Sequence, residues 1–536
     1  MPWYIILLSI MGTQASAVTF LSAPGQAYTD GMRFVQYYFG LPIAMVVLCI
    51  TFVPVFHKLK IYTAYEFLES RFDLKTRTLT SFLFLLQRGL STGISISAPS
   101  IILSSLLGWD IMWTNIFMGG LLIVYTVTGG AKAVAYTQQL QLIIIFGGML
   151  MAGYMVVHLL PANVGFFDAL HVSGKAGKLN VITTGIDKKG FNWNDRYNLL
   201  SGAIGGFFLA LSYFGTDQSQ VGRYLTAKSE KESKLGLLMN GLVKVPMQFL
   251  ILLIGVLVFA FYQYNNEPVF FNQSQLKVLE NSKYKDSLAT LENEYNENQA
   301  LKIKEMNLIS SLDKNSNEYL QAQSTLQSIE NKTDEFRKTV KRWLDDKNVK
   351  GDSNDTNYIF LRFVVDYLPK GLIGLLIAVI FLAAWGSIAA ALNSLASATI
   401  IDFHKRFSKK ELTEKREYDL SRWYTLLWGV FCVIVAQLAY NIGNSLIEAV
   451  NVLGSLFYGV ILGIFLVAFY MKKVSSNAVF ISAIINEIFI ISIYLLNQKG
   501  IFKISFLWLN VIGAIGVLLL SWIIHFLLPK KVEQLS

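Results

Sequence analysis

The sequence predicts an all-α protein that crosses a membrane many times. Of its 536 residues, 53% are hydrophobic and only 15% are charged. A soluble domain of this size cannot hide that much apolar surface, so a polytopic membrane protein is the expected class. Long apolar blocks follow one another along most of the chain, and the short segments between them are basic. Together these observations favour a bundle of transmembrane helices.

Twelve apolar blocks are each long enough, or nearly so, to cross about 30 Å of hydrocarbon as a helix. Numbered as spans 1 to 12, they lie at about 3–23, 34–56, 78–106, 110–129, 133–160, 198–215, 237–263, 371–403, 420–440, 445–471, 476–497 and 504–528. The chain therefore divides into spans 1–7 within residues 1–263, a polar insert at 264–357, and spans 8–12 within 358–536.

The distribution of lysine and arginine predicts the orientation. When the spans are counted alternately, the basic connections fall on one side, which the positive-inside rule makes cytoplasmic. They are HKLK (57–60), DLKTR (73–77), GRYLTAKSEKESK (222–234), HKRFSKKELTEKRE (404–417), MKK (471–473) and PKK (529–531). The mildly basic NQKGIFK at 497–503 is an exception. The prediction is a multi-pass protein of the plasma or inner membrane, with both ends of this chain cytoplasmic and the insert extracellular or periplasmic.

The net charge of +10 does not indicate nucleic-acid binding. The insert carries 13 lysines and arginines against 16 aspartates and glutamates, so the positive excess lies in the short connections, as it does beside a lipid bilayer. The sequence contains neither a phosphate loop nor a metal-ligand cluster nor a nucleophile–base pair, so neither enzymatic activity nor an organic cofactor is predicted. Cys49 and Cys432 lie in apolar blocks, which indicates neither a disulfide nor a metal site.

The insert has a heptad pattern that predicts a helical hairpin with coiled-coil packing. Its apolar a and d positions are Leu312, Tyr319, Leu326 and Val340, alternating with Ala322, Ile329, Phe336 and Trp343, and Thr333 is the one polar a position. The main interpretation is a solvated spacer, or a surface for a protein partner or for self-association through 276–344. Capture of substrate is the alternative.

Two spans carry small and polar residues in their interior. Span 1 contains GTQASA at 12–17, and span 6 lies in SGAIGGFFLALSYFGTDQSQ at 201–220. Spans five apart run in opposite directions, which is the arrangement of inverted-repeat transporters. Unwinding there frees backbone carbonyls, which are tolerated only where they line a cavity or hold an ion. Close helix packing is the alternative for either segment alone, but the matched pair favours a binding site.

Three segments resemble signature segments of the sodium/solute symporter family. They are GGAKAVAYTQQLQ (129–141), YFGTDQSQVGRYLTAKS (213–229) and ALNSLASATIIDF (391–403). In span 3, LLQRGLSTGISISAPS (85–100) resembles the branch of monocarboxylate, multivitamin and iodide symporters. The resemblance covers essentially every span but not the insert. It implies the LeuT-type fold with five-plus-five inverted repeats, and alternating-access symport of a small organic solute with sodium.

The start of the chain differs from the family pattern. Family members carry one further helix before an MPWW-like stretch, whereas this sequence begins with MPWY. We expect the start to lie at an internal methionine, and a truly absent leading helix is the alternative. A cleaved signal peptide is not expected, because no lysine or arginine precedes the first apolar block.

The resemblance also implies a sodium site between spans 1 and 8. Gly12 and Ala15 match the carbonyl donors of the first helix, and Ala383 matches the carbonyl donor of span 8. The paired hydroxyl positions are occupied by Gly386 and Ser387, so one of the two hydroxyls is absent. These five residues are the predicted sodium ligands.

A second departure from the family lies in span 5. The family's Trp-Thr-Asp appears as Tyr136-Thr137-Gln138, so an amide replaces a carboxylate tied to sodium passage. At an effective dielectric of 20, a charge about 8 Å away is worth roughly 2 kcal/mol. Sodium coupling stays the main expectation, with proton-coupled or uncoupled transport as alternatives.

The solute pocket that the resemblance implies lies beside the interruptions of spans 1 and 6. Its predicted residues are Gln14, Thr19, Gln87, Arg88, Tyr213 and Phe214. For Tyr213 and Phe214 ordinary helix packing is the alternative. Arg88 lies well inside span 3, where an unpaired guanidinium costs about 2.5–3.5 kcal/mol or more. It either binds the carboxylate of an organic anion, as an arginine of this helix does in sialic acid symporters, or pairs with a helix C-terminus or a buried acid such as Glu448 or Glu487.

The remaining charged residues near the spans are given structural roles. Asp217, Gln218 and Arg223 belong to the span 6 signature, and their cytoplasmic position predicts an inner-gate or structural network. Lys244 lies early in span 7, and its side chain is expected to extend to the cytoplasmic surface. A membrane receptor with a coiled ectodomain is the rival class of function, and the short PKKVEQLS after span 12 argues against it.

Overall fold

The structure is a computed structural model that covers nearly the whole chain. It describes residues 1–14, 16–188, 190–312, 316–349, 351–408, 413–438 and 445–528. Within these ranges, the side chains of 129–141 and of residue 311 lie outside the description. The predicted sodium ligand Ala15, and the span 5 residues Tyr136, Thr137 and Gln138 as side chains, therefore lie outside the described part.

Helices make up most of the described chain. They are α1 (Trp3–Gln14), α2 (Ala17–Asp30), α3 (Leu41–Ile50), α4 (Phe52–Leu59), α5 (Glu66–Arg71), α6 (Leu74–Leu107), α7 (Ile111–His158), α8 (Phe166–Lys175), α9 (Gly206–Thr216), α10 (Gln218–Leu225), α11 (Glu230–Tyr264), α12 (Gln273–Glu280), α13 (Lys285–Ser311), α14 (Asn317–Leu344), α15 (Ile359–Tyr367), α16 (Lys370–Ala398), α17 (Lys405–Phe407), α18 (Glu414–Leu438), α19 (Leu446–Tyr470), α20 (Ser476–Gln498) and α21 (Phe506–Leu527). Gly31–Tyr38 and Thr356–Tyr358 are 3₁₀ helices, and Ser201–Gly205 and Thr399–His404 are π-helical. A small antiparallel ribbon joins β1 (Ile186–Asp187) to β2 (Gly190–Phe191).

The predicted all-α polytopic architecture is confirmed. Among the described residues, nine helical stretches are long and apolar enough to cross a membrane. Every predicted span is largely helical. Span 1 is divided into α1 and α2, span 2 into a 3₁₀ helix, α3 and α4, and the helix of span 6, α9, is followed after a break at Asp217 by α10.

Spans 4 and 5 differ from the prediction, because one continuous helix, α7, contains both. A straight helix of 48 residues extends about 72 Å, more than twice the thickness of the hydrocarbon core. The predicted break lies at 130–132, where Thr128, Gly129 and Gly130 precede Lys132 and no proline interrupts the chain. The paired glycines favour a break, but without a proline they also tolerate a continuous helix.

The core of the bundle is one network of apolar side chains that runs from Ile6 in α1 to Val517 in α21. Helix α19 packs against α6, α9 and α21, while α16 packs against α6 and α7, and α11 lies against α1 and α2. Small residues allow the closest approaches. A methyl group at Gly255 of α11 would lie 2.1 Å from the carbonyl oxygen of Pro24 in α2. These contacts hold both halves of span 1 inside the bundle.

The insert forms a hairpin of α13 and α14 with a small core of its own. The two helices run antiparallel, because Tyr284 stacks on Trp343 while Tyr295, further along α13, contacts Phe336 earlier in α14. Its core contains Val269, Phe270, Leu279, Leu288, Leu291, Tyr295, Val340 and Leu344. The polar a position, Thr333, accepts a hydrogen bond from Asn298 at 2.9 Å. Coiled-coil packing in the strict sense and the extracellular location stay predictions.

A buried charge cluster joins the insert to α2, the second half of span 1. The Tyr28 hydroxyl of α2 donates to Glu267 Oε1 at 2.6 Å, and Lys302 of α13 lies 3.1 Å from Glu267 Oε2. Arg337 of α14 contacts Glu267 at 3.3 Å and Asp355 at 2.8 Å. Burial raises the pKa of Glu267, but the positive charges of Lys302 and Arg337 outweigh it and hold the pKa below its usual value.

A second buried network joins α6 to the end of the span 8 segment. Arg77 donates through Nε and Nη2 to Asp402 Oδ1 at 2.9 and 2.6 Å, and through Nη1 to Glu69 at 2.6 Å. Ser81 and Thr63 also donate to the Asp402 carboxylate. Because Arg77 is 1% exposed and Asp402 fully buried, each depends on the other for its charge. Asp402 lies in the third signature segment, where it has this structural role.

Asp402→Ala is expected to lower the melting temperature of the detergent-solubilised chain. The change leaves a buried guanidinium without its main counter-charge, which costs about 3–5 kcal/mol. Asp419→Ala, at an exposed position of α18, is the matched control and should change the free energy of unfolding by at most ~0.5 kcal/mol. Tryptophan fluorescence during heating measures both variants. Equal melting temperatures would contradict the structural role of Asp402.

Docking of the insert is expected to weaken in acid. Because the folded-state pKa of Glu267 lies below its ordinary value of 4.5, its stabilising contribution is present above that value and is lost as the pH falls through the lowered pKa. Glu267→Gln should reproduce this loss at pH 7 as faster amide hydrogen exchange in α13 and α14. Glu335→Gln, at an exposed position of α14, is the control. Unchanged protection in Glu267→Gln would show that other contacts dock the hairpin.

Candidate functional site

Two interrupted helices lie at the centre of the bundle. Helix α1 ends at Gln14, Ser16 is extended with φ −83° and ψ 168°, and α2 begins at Ala17. Helix α9 ends at Thr216, and Asp217 is extended with φ −77° and ψ 117° before α10 begins. The break in span 1 coincides with the polar cluster of the sequence.

In span 6 the break lies away from the glycine-rich start, which forms the π-helix instead. Its cause is a cap: Asp217 Oδ1 accepts hydrogen bonds from the amide of Ser219 at 2.8 Å and from its hydroxyl at 2.6 Å. An aspartate in this position satisfies free amides at the start of a new helix. The break therefore follows from the Asp-Gln-Ser sequence rather than from the glycines.

A buried cavity of about 150 Å³ lies beside the two breaks, between α1, α2, α6, α9, α11 and α19. It is lined by Gln14, Ser16, Val18, Thr19, Tyr37, Tyr38, Leu41, Gln87, Arg88, Ser91, Ser95, Gly206, Leu209, Ala210, Tyr213, Phe214, Lys244, Ile447, Val450, Asn451, Gly454 and Tyr458. All six residues predicted for the solute pocket are among them. The structure brings these residues together, and their role in binding stays a prediction.

Several lining side chains keep hydrogen-bonding capacity free for a ligand. Gln87 donates to the Ser91 hydroxyl at 2.9 Å, but its Oε1 atom has no partner in the described chain. The same is true of Arg88 Nε and of Asn451 Nδ2. The Tyr213 hydroxyl accepts from Gln220 at 2.7 Å. A ligand that offers both acceptors and donors can satisfy these groups.

Arg88 pairs with Asp217, whose Oδ2 atom lies 3.7 Å from its Nη1. The pairing of Arg88 with Glu448 or Glu487 that we considered from the sequence is wrong. Glu448 pairs with Arg196 at 2.5 Å, and neither carboxylate oxygen of Glu487 has a partner in the described chain. The physical reason is the break at Asp217, which turns this carboxylate toward α6. A continuous span 6 does not predict that direction.

Asp217 and Gln218 tie α10 to its neighbours. Asp217 is fully buried and also accepts a hydrogen bond from the Tyr458 hydroxyl of α19 at 2.6 Å. Gln218 accepts from the amide of Ala64 at 3.0 Å and donates to the Tyr62 carbonyl at 2.8 Å. Arg223 is half-buried, within electrostatic range of Arg88 and Tyr213. The arrangement is a network that joins α6, α10 and α19, and its role as a gate stays a prediction.

A smaller compartment of about 90 Å³ adjoins the main cavity and is lined by oxygen-bearing side chains. Its lining consists of Thr13, Gln14, Ser16, Arg88, Ser91, Thr92, Ser95, Tyr213, Ser387, Ile388, Ala391 and Val450, so the Arg88 side chain shares this wall with the oxygen-bearing residues. Ser387 lines the compartment and donates to the carbonyl of Ala383 at 3.0 Å, whereas the predicted ligands Gly12, Ala383 and Gly386 are not among the lining residues. Gly12 and Gly386 are buried in α1 and α16. The compartment thus lies between α1, α6 and α16, where the resemblance places sodium.

The hydroxyl and amide oxygens of this compartment can bind a hard monovalent cation, while the positive charge of Arg88 in the same wall opposes one. Because α1 ends at Gln14, the carbonyl groups of its last turn lack partners within the helix. The Gln14 carbonyl accepts from the Ser16 amide at 2.9 Å and from the Thr19 hydroxyl at 3.3 Å. Hydroxyls such as those of Thr92 and Ser387 add neutral oxygens. Carbonyl ends of broken helices bind cations in this way in transporters.

One polar face of α11 was missed from the sequence. Asn240, Lys244 and Gln248 are 0%, 2% and 0% exposed, and Gln14 donates to Asn240 at 3.3 Å. The prediction that Lys244 extends to the cytoplasmic surface is wrong, because its face of the helix points into the bundle and it lines the main cavity. Four-residue spacing of polar residues through an apolar block was the signal that could have found this face.

Comparison with known proteins identifies the family. The family model "Sodium:solute symporter family" matches residues 1–281 and 344–486, and the gap between them corresponds to the α13–α14 hairpin. The human sodium/iodide cotransporter is 31% identical over 259 residues, which are 48% of this chain and 38% of that protein. The sodium/sialic acid symporter SiaT of Proteus mirabilis (strain HI4320) is 24% identical over 97% of this chain and 86% of its own.

A solved structure has the same fold. It is a Na⁺-coupled sialic acid symporter in a substrate-bound outward-open state, with a TM-score of 0.71 and 22% identity over 99% of this chain and 92% of that chain. This similarity confirms the predicted LeuT-type fold. The interrupted helices, the cavity between them and the match over most of the sequence lead to one conclusion: the chain belongs to the sodium:solute symporter family.

Proposed function

We propose that this chain is a secondary active transporter that imports a small organic solute together with sodium by alternating access. The observation that carries the proposal is the pair of interrupted helices around one buried cavity, with an oxygen-lined compartment beside it. In inverted-repeat carriers, solute and ion bind at such interruptions near the middle of the membrane. Membership of the family supports the same function.

Sodium is proposed to bind in the smaller compartment. Its proposed ligands are the carbonyl oxygens of Gly12 and Ala383 and the hydroxyl of Ser387, together with Ala15, which lies outside the described residues. Gly386 offers no side-chain oxygen, so the site has one hydroxyl fewer than the family pattern. The hydroxyl of Thr92, which lines the same compartment, is a neutral oxygen that can compensate.

The solute is proposed to bind in the main cavity against Gln14, Thr19, Gln87, Arg88, Tyr213 and Phe214. Helices α1, α2 and α6 supply its polar wall, and α9 supplies aromatic rings. The wall carries two basic side chains, Arg88 and Lys244, and Asp217 pairs with only the first of them, which favours a solute with a negative charge. The named substrates of two relatives, iodide and sialic acid, are also anions.

The proposed gate on the cytoplasmic side is the network of Asp217, Gln218 and Arg223. Opening of this side would separate α10 from the loop at Tyr62–Ala64 and from α19, so the hydrogen bonds of Gln218 and the Tyr458–Asp217 bond would have to break. The proposed orientation has both ends of the chain in the cytoplasm and the insert outside.

Reconstituted into liposomes, the chain is expected to accumulate solute only when sodium is higher outside. The panel consists of radiolabelled propionate, benzoate and nicotinate with their carboxamides, and of iodide and sialic acid. Liposomes without protein, and liposomes with equal sodium on both sides, are the controls. Accumulation that follows a proton gradient and ignores sodium would overturn sodium coupling. Absence of uptake for every member would count against the transport proposal for these solutes.

Ser387→Ala is expected to raise the sodium concentration for half-maximal uptake about five- to tenfold, because one ligand worth roughly 1–1.5 kcal/mol is lost. Ser394→Ala is the matched control. It lies on the same helix and donates to the Ala390 carbonyl at 2.9 Å, as Ser387 donates to Ala383, but does not line either cavity. Equal shifts in both variants would mean that Ser387 acts through helix packing.

A further inference from the structure

The main cavity is lined by two cations and by no carboxylate. Arg88 and Lys244 contribute side chains to its wall, while Asp217 lies behind it, fully buried. Charged groups inside a membrane protein are costly unless they are paired, so each of the two cations needs an opposite charge. The structure provides one for Arg88, whose guanidinium lies 3.7 Å from Asp217.

Lys244 has no such partner. It is 2% exposed, and within the described chain it makes neither an ion pair nor a hydrogen bond. Its ammonium lies 5.8 Å from the centroid of the Tyr38 ring, a cation–π contact that offsets only part of the desolvation. The apolar segments outside the description, 129–141 and 439–444, contain no aspartate or glutamate. Among the described residues, therefore, no carboxylate forms an ion pair with Lys244.

The surroundings of Lys244 suit an anionic group with an apolar body. Tyr38, Leu209 and Phe214 present aromatic and aliphatic surface to the same cavity. Arg88 Nε and Asn451 Nδ2 offer two N–H groups without acceptors. A carboxylate brings acceptor oxygens and no donor, so it can satisfy these N–H groups while it neutralises the ammonium.

We propose that Lys244 is the residue that selects the charge of the solute. Its ammonium pairs with one monoanionic group of the solute, in particular a carboxylate, while Arg88 stays paired with Asp217 and contributes a hydrogen bond. This inference rests on the proposed function, because it takes the main cavity as the solute site. The residue that pairs with the negative charge of the solute is then Lys244 of α11, whereas the sequence indicated Arg88 of α6.

The unpaired Lys244 side chain should also lower the stability of the ligand-free chain. In the empty cavity Lys244 is a buried amine without a counter-charge, so replacing it with an apolar residue of similar length removes a desolvation cost. Lys244→Met should therefore raise the melting temperature of the ligand-free chain in detergent. Lys231→Met, at an exposed position of the same helix, is the control and should leave it unchanged.

Binding is then measured by thermal shift of the full chain in detergent and sodium chloride. The ligands are the acid and amide pairs propionate and propionamide, benzoate and benzamide, and nicotinate and nicotinamide. The wild type should be stabilised by carboxylates and not by their amides. In Lys244→Met this preference should fall roughly tenfold or more, and Lys244→Arg should retain it.

Three results would overturn the proposal. The first is an unchanged preference for carboxylates in Lys244→Met, and the second is equal stabilisation of the wild type by acids and amides. If no ligand of the panel stabilises the wild type, the ligand-free comparison decides, and a melting temperature of Lys244→Met at or below the wild type overturns it. Since detergent carries no gradient, a failure of sodium-driven uptake does not affect these readouts, and the two proposals fail separately.

Discussion

The rest of this structure depends on one constraint: a polar group inside hydrocarbon needs a partner. Two helices break beside the main cavity, and each break leaves backbone groups without the hydrogen bonds that a continuous helix provides. Around them the chain places Asp217 as a cap, serine and threonine hydroxyls on α6 and α16, and a cavity in which the remaining groups can meet a ligand. The cavity is therefore a result of the breaks, and the long apolar helices around it keep it away from lipid.

Much of this arrangement could be predicted from the sequence, because the evidence is local. Hydropathy located the spans, the polar cluster at 12–17 located the first break, and the motif resemblance identified the six residues that now line one cavity. The partner of Arg88 could not be predicted, because it depends on the direction in which the chain leaves the break at Asp217. Lys244 was predicted to reach the cytoplasmic surface because it lies near the end of its span. Its burial is decided instead by the helix face that it shares with the buried residues Asn240 and Gln248.

Buried charges in the described chain divide into two kinds. Arg77 with Asp402, and Glu267 with Lys302 and Arg337, are closed sets in which opposite charges satisfy one another. Such sets fix the relative positions of helices and leave nothing for a ligand. Around the main cavity the balance is open, since Arg88 and Lys244 face it with only Asp217 behind them. Glu487 of α20 is an exception, because it is buried without a partner in the described chain and lines neither cavity.

The contact between Tyr28 and Glu267 connects the hairpin to α2, the second half of the interrupted span 1. The hairpin also touches the scaffold elsewhere, where Asn163 donates to Ser310 at 3.3 Å and Met306 joins the apolar core. If α2 swings outward, either the bond to Glu267 breaks or the contacts at Ser310 and Met306 do. A hydrogen bond to a charged group contributes about 1.5–3 kcal/mol, which corresponds to a preference of roughly ten- to a hundredfold for the position of α2 in this structure. The α13–α14 hairpin, which the family model does not match, would in that case affect the rate of the transport cycle without contacting the solute.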